Sequence, residues 1–167
     1  IINKLAMSES SNDFSADNEL GYIGRLQFGE DRLKDFTDAT GKNTTDFLNN
    51  PELQKEVEQW HIKDLESFIR QNSLQNYYGE YMKGFFVDKD SIIAMAHLGG
   101  ATGTIRFLKN KGMLDKDGDK TDTQDAYGTK LSDYGKKFSN SSAPQTSPIP
   151  VRRPTNIVVS EDTTDTD

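Results

Sequence analysis

The stretch "NNPELQKEVEQWHIKDLESFIRQN", Asn49 to Asn72, decides the fold class. Asn50 is a fit N-cap, because its short side chain can accept a hydrogen bond from a free N–H of the first helical turn. Pro51 suits the first helical position, where no N–H is needed, and Glu52 complements the positive end of the helix dipole. Leu53, Val57, Trp60, Leu65 and Phe68 then recur close to a 3.6-residue period. This is one apolar face of a long helix, with Trp60 expected in the core.

The pattern continues on both sides. Downstream, "SLQNYYGEYMKGFFV" is short and aromatic, broken by Gly79 and Gly84. "DKDSIIAMAHLGGATGTIRFLKNKG" reads as a second long helix, capped by Asp90 or Ser91 and ended by Gly112. Its interior glycines, Gly99, Gly100 and Gly103, each cost up to ~1 kcal/mol there, so close packing, a break or space for a ligand is expected to justify them. "LSDYGKKF" reads as a last helix with Leu131, Tyr134 and Phe138 inward. Upstream, Glu30–Thr37 is a short helix closed by Gly41, and Ile1–Ser10 reads as the end of an amphipathic helix. Between them Ser11–Gly21 is turn-rich loop, and "LGYIGRLQFG" fits a short strand or a turn leading into a helix.

The expected organisation is one mainly α domain over residues 1–138. From Ser139 the Ser/Thr/Pro-rich run "SNSSAPQTSPIPVRRPTNIVVSEDTTDTD" reads as a disordered tail or linker, 139–167. A chain of 167 residues suffices for such a domain with a real core. The net charge of -7 argues against a nucleic-acid module or a binder of anionic membranes. The absence of cysteine excludes disulfides and thiolate chemistry, and two histidines do not make a His-rich metal site. No apolar run approaches a membrane span, and no secretory signal is visible. The opening "IINKLAM" lacks an initiator Met and is helical from the start without a cap, so the sequence reads as a piece of a longer chain or a processed product.

Three blocks then stand in a suggestive order: Glu9-Ser10 followed by a loop and "GYIGRLQF"; the Asn-Pro helix from Asn50; and "MAHLGGATGTIRFL" from Met95. Together they resemble the soluble lytic transglycosylase and goose-type lysozyme group over roughly Ile2 to Leu108. In that group a helix ending in Glu-Ser precedes a Gly-Leu-Met-Gln block, an Asp/Asn-Pro-x-x-Asn helix and an Ala-Tyr-Asn-Ala-Gly turn. Gly24, Leu26, Gln27, Ala96 and Gly100 match. Arg25 interrupts the first of these patterns, Gln54 or Lys55 stands near the place of the Asn, and His97 and Leu98 replace the Tyr-Asn pair.

The resemblance implies a lysozyme-like helical fold and peptidoglycan as substrate. Glu9 would protonate the glycosidic oxygen between N-acetylmuramic acid and N-acetylglucosamine, then take the proton of the muramyl C6 hydroxyl as a 1,6-anhydro ring closes. No cofactor is implied. Such an acid must be protonated when substrate binds, which partial burial and the negative end of a helix both favour. Glu9, just before the loop, is therefore the candidate catalytic residue, with Ser10, Gln27, Tyr22, His97 and Gly100 as candidates for binding substrate.

The bland roles are equally specific. A Tyr such as Tyr22 usually belongs to the core, Gln27 can cap a loop, and His97 can be a satisfied histidine near a helix end. Tyr77, Tyr78 and Tyr81 have the spacing of core residues, with a sugar-stacking wall as the alternative. Asp13, Asp17 and Glu19 are the nearby acids for a hydrolase, although turn-rich sequence favours local backbone bonding. Asp115, Asp117 and Asp119 begin like an EF-hand loop, but Lys120 and Ala126 stand at the Gly and Glu positions, so calcium is a weak candidate beside a solvated acidic loop. The expected partners are peptidoglycan strands, with virion or cell-envelope proteins beside them. The expected location is virion-associated, periplasmic or extracellular. A non-enzymatic virion or scaffold domain is the alternative from another class, and a muramidase with a second acid the alternative chemistry.

Overall fold

The computed structural model describes residues 1–140, which are mainly helical: α1 (Ile2–Ser10), α2 (Glu30–Thr40), α3 (Pro51–Gln71), α4 (Lys89–Lys109) and α5 (Leu131–Phe138). Residues 141–167, where nearly all of the expected tail falls, lie outside the described residues. Ser139 and Asn140, assigned to that tail from the sequence, are instead part of the packed body. Ser139 is buried with its hydroxyl donating to the Phe86 carbonyl, and the Asn140 N–H donates to Asp88.

α3 forms as its sequence predicts, with Asn50 Oδ1 accepting from the Leu53 N–H at 3.1 Å. Trp60 sits at the edge of the core, with Phe36 edge-on to it and the Arg32 guanidinium 4.3 Å from its ring centre. α4 is capped by Asp88, not by Asp90 or Ser91. Asp88 and Ser91 exchange side-chain and backbone hydrogen bonds, each 2.9 Å, in a capping box. From Ser91 to Ala96 every side chain of α4 is buried, because the run Ile-Ile-Ala-Met-Ala is apolar all round and is stable only when covered on all sides.

The aromatic segment after α3 is not a helix. It holds a 3₁₀ turn (Leu74–Tyr77) and a short hairpin of β1 (Tyr81–Met82) and β2 (Phe85–Phe86), paired Tyr81 to Phe86 and Met82 to Phe85. Period-2 burial replaces helical spacing there, so Met82 and Phe85 enter the core. Tyr78 and Tyr81, expected in the core, are exposed, and Tyr77 is half-buried.

The glycines of α4 divide as the sequence allowed. Gly100 has φ 79° and breaks the helix. A Cβ on Gly99 would come within 2.6 Å of Leu131 Cδ2, so this glycine lets α5 approach α4. Gly103 is crowded by nothing. Alanine should therefore act oppositely at two sites. At Gly135 of α5 its Cβ would lie inside contact distance of the Phe85 ring, and we expect Gly135→Ala to cost about 2 kcal/mol or more by overpacking. Gly103→Ala should stabilise by about 0.5–1 kcal/mol through helix propensity alone. Urea unfolding of the two variants checks both signs.

Candidate functional site

Along α1 the inward positions are Ile2, Leu5 and Ala6, and one turn further the same stripe carries Glu9. The helix thus takes the carboxyl under the body of the protein, and Glu9 is half-buried. Ser11 and Asn12 then adopt left-handed backbone (φ 56° and 67°), and their N–H groups return to the carbonyls of Met7 and Ala6. The chain turns away at once, so the space beside Glu9 stays open.

That space is a cleft of about 470 Å³ in which Glu9 meets Tyr22, Gln27 and His97, three of the residues chosen from the sequence. Burial raises the Glu9 carboxyl to about 7; the negative charge of Asp125 adds to this, and the ammonium of Lys137 opposes it. The Tyr134 hydroxyl, projected by α5, donates to Glu9 Oε2. The cleft continues into a second lobe of about 790 Å³ that shares Tyr22, Gln27 and His97 with the first and extends past Gly100 to Phe68 and Asp31. The result is an elongated groove with Glu9 in one half.

The Gln27 wall is held by α3. Ile23 and Phe28 exchange backbone hydrogen bonds around a turn in which Gln27 has φ 57°. Gly24 is required there, since a Cβ would strike the Phe47 ring and come within 2.8 Å of Gln54 Oε1. Gln54, fully buried, accepts from the Arg25 N–H and donates to the carbonyls of Phe14 and Phe47. Arg25, which interrupts the Gly-Leu-Met-Gln pattern, makes a two-pronged ion pair with the buried Glu58, with bonds of 3.1 and 2.6 Å. Arg25 is thus tied to α3 by its backbone through Gln54 and by its side chain through Glu58.

Ser10 does not line the cleft. Its hydroxyl donates to the Arg25 and Ala6 carbonyls and accepts from the Asp13 N–H, which makes it a structural tie. Gly100 borders only the second lobe. Tyr78 and Tyr81 are outside both lobes and form no sugar-stacking wall there. Asp13 turns inward on its own loop, bonded to the N–H and hydroxyl of Ser15, and Asp17 and Glu19 are exposed outside the cleft. Asp115 Oδ1 accepts from the N–H groups of Asp117 and Asp119 and its Oδ2 pairs with Arg106, so this carboxylate braces a turn. Among the described residues no cluster of three or more His, Asp or Glu could hold a metal ion.

Sequence reasoning missed Asp125, Tyr127 and Tyr134. Tyr134 was legible only as an inward residue of the last helix, and the other two sit in an acidic loop with no periodic signal. Asp125 Oδ1 accepts from the N–H groups of Tyr127 and Thr129, both at 2.9 Å, which folds this loop over the cleft and leaves Tyr127 exposed on its rim. The charges around Glu9 predict opposite shifts. Asp125→Asn, which keeps the Oδ1 acceptor, should lower the Glu9 titration midpoint, and Lys137→Met should raise it. Carbon NMR of the Glu9 carboxyl would read both, and unchanged midpoints would leave burial as the sole cause.

No family model matches the chain, and no curated protein or solved structure matches it either.

Proposed function

We propose that the domain is a lysozyme-like lytic transglycosylase of peptidoglycan, with Glu9 acting first as acid and then as base. The observation that supports this most is Glu9 itself, a half-buried carboxyl raised to about 7 inside an elongated groove. A polymer threads an open groove, whereas a small metabolite is better served by a closed pocket. Near pH 6 most Glu9 groups carry the proton that the leaving oxygen needs.

In this reading the glycan lies along both lobes with its scissile oxygen at Glu9. Proton transfer from Glu9 releases the N-acetylglucosamine oxygen as a hydroxyl, while the muramyl acetamido carbonyl supports the developing positive charge at C1. The Glu9 carboxylate, oriented by Tyr134, then accepts the C6 hydroxyl proton as that oxygen bonds to C1. The 1,6-anhydro ring forms and Glu9 is again protonated. Gln27 and Tyr22 contact the sugar, and the domain works as a module of a virion or cell-wall-remodelling protein.

A second reading has one observation in its favour: Asp125 shares the cleft and its charge acts on Glu9. With Asp125 activating water on the opposite face of the sugar, the enzyme would be a muramidase. Digestion of purified peptidoglycan with mass analysis of the soluble fragments separates the two. Anhydro-muropeptides are expected. Reducing ends lost in Asp125→Asn would establish the hydrolase, and no fragments from the folded wild-type protein would favour the non-enzymatic virion or scaffold role.

A further inference from the structure

Along the second lobe, a row of hydrogen bonds runs from α2 through α3 and α4 to the Gln27 turn. Arg32 Nε lies 3.0 Å from His61 Nδ1, His61 Nε2 lies 2.9 Å from His97 Nδ1, and His97 Nε2 lies 3.0 Å from the Leu26 carbonyl oxygen. Both ends dictate the same direction. A guanidinium only donates and a carbonyl oxygen only accepts. His61 must therefore accept at Nδ1 and donate from Nε2, and His97 must do the same. A further proton on either ring would remove an acceptor and set two N–H groups facing each other.

We propose that Arg32 and His61 are positioning residues of the Glu9 cleft, holding His97 as a neutral ring whose Nε2–H fixes the Leu26 carbonyl and with it the left-handed Gln27 turn. The end points of the row explain why it is there. Arg32 is anchored by Asp64 at 2.6 Å and by the face of Trp60, so its Nε–H is aimed before substrate arrives. Asp35, 3.5 Å from Nη1, is its other charged neighbour. The buried His61 packs edge-on to Phe28 beside His97, and Glu9 borders the cleft that His97 lines.

At the far end, the residue after Leu26 is the non-glycine Gln27 at φ 57°, a conformation that surrounding bonds must hold. One N–H of its amide Nε2 donates to the Gly24 carbonyl at 3.0 Å, which orients the amide beside the cleft. The row thus connects α2 and α3 to the Gln27 turn that lines the cleft. Burial keeps both rings well below the ordinary histidine range, with the Arg32 charge acting in the same direction on each.

Nitrogen NMR of the two histidines tests the proposal without requiring activity. The wild type should show both rings neutral between pH 5 and 8, protonated on Nε2 and bare on Nδ1. A His97 protonated on Nδ1, or either ring charged at pH 7, would overturn the row. Arg32→Met keeps a stem against Trp60 but removes the donor, so His61 and His97 should lose the single Nε2–H tautomer while burial keeps both rings neutral. If both rings keep the Nε2–H tautomer in Arg32→Met, Arg32 holds nothing and the proposal is wrong.

The kinetic arm rests on the transglycosylase reading. Arg32→Met should release peptidoglycan fragments about tenfold more slowly, in step with the loss of the single tautomer. A loss of rate with both tautomers intact would reduce Arg32 to a structural role. A wild type that cuts no peptidoglycan defeats the transglycosylase reading, while the tautomer spectra still decide the row itself.

Discussion

Glu9→Gln will be more stable than the wild type at pH 8, equally stable at pH 4, and at least about a thousandfold slower in peptidoglycan release. The sign follows from linkage. The folded-state value of about 7 lies above the reference value of 4.5, so the folded protein holds a proton that the unfolded chain gives up. The stability tied to that proton is fully present below pH 4.5 and is lost as pH rises through 7. After allowing for partial exposure, the ionised carboxyl costs about 2 kcal/mol at pH 8. Gln never ionises and avoids that cost, and Tyr134 can still donate to its amide oxygen.

A shift of that size corresponds to roughly 6 °C in Tm for a domain of this length. Thermal melts at the two pH values check it without a substrate. A Gln variant no more stable than the wild type at pH 8 would mean that Glu9 is solvated and ordinary, and the acid role would fall with it. A stabilised variant that still cut glycan would locate the acid elsewhere. Stability and activity therefore test the environment and the chemistry of Glu9 separately.

The second large effect concerns Arg25. Its guanidinium spans Glu58 in α3, Asn12 in the loop after Glu9 and the Phe14 ring at 4.6 Å, and the Glu58 side chain is only 2% exposed. Truncation of one partner of a buried pair leaves a charge without compensation, which costs about 3–5 kcal/mol. Arg25→Ala should lose that much in urea unfolding. Arg25→Met combined with Glu58→Met should recover most of it, since removing both charges removes the need for either. A single variant as stable as the wild type would show that water reaches Glu58, and the tie between α3 and the loop after Glu9 would carry no weight.

Local signals made most of the helical frame legible. Asn50-Pro51, the period of α3 and the inward positions of α5 act within a few residues, and the structure follows them. The same local logic failed where partners come from afar. "LGYIGRLQFG" was ambiguous because its turn is held by Gln54 and Glu58, about thirty residues away in sequence. The tyrosines near Gly79 had helical spacing, but the pairing of β1 with β2 sets a period of two and turns Tyr81 outward. Ser10 had the right neighbour in sequence and the wrong direction in space, since its hydroxyl is taken by the Arg25 carbonyl.

By itself, the sequence determined the helices, the cap of α3 and the standing of Glu9 at the end of α1, just before a loop. Periodicity and capping are properties of short segments and need no knowledge of what lies opposite. Only the tertiary structure decided that Asp125 and Tyr134 face Glu9 and that Arg32, His61 and His97 form one directed row. Charge and hydrogen-bond direction act through space, between residues as far apart as Glu9 and Tyr134, and no spacing along the chain encodes that meeting.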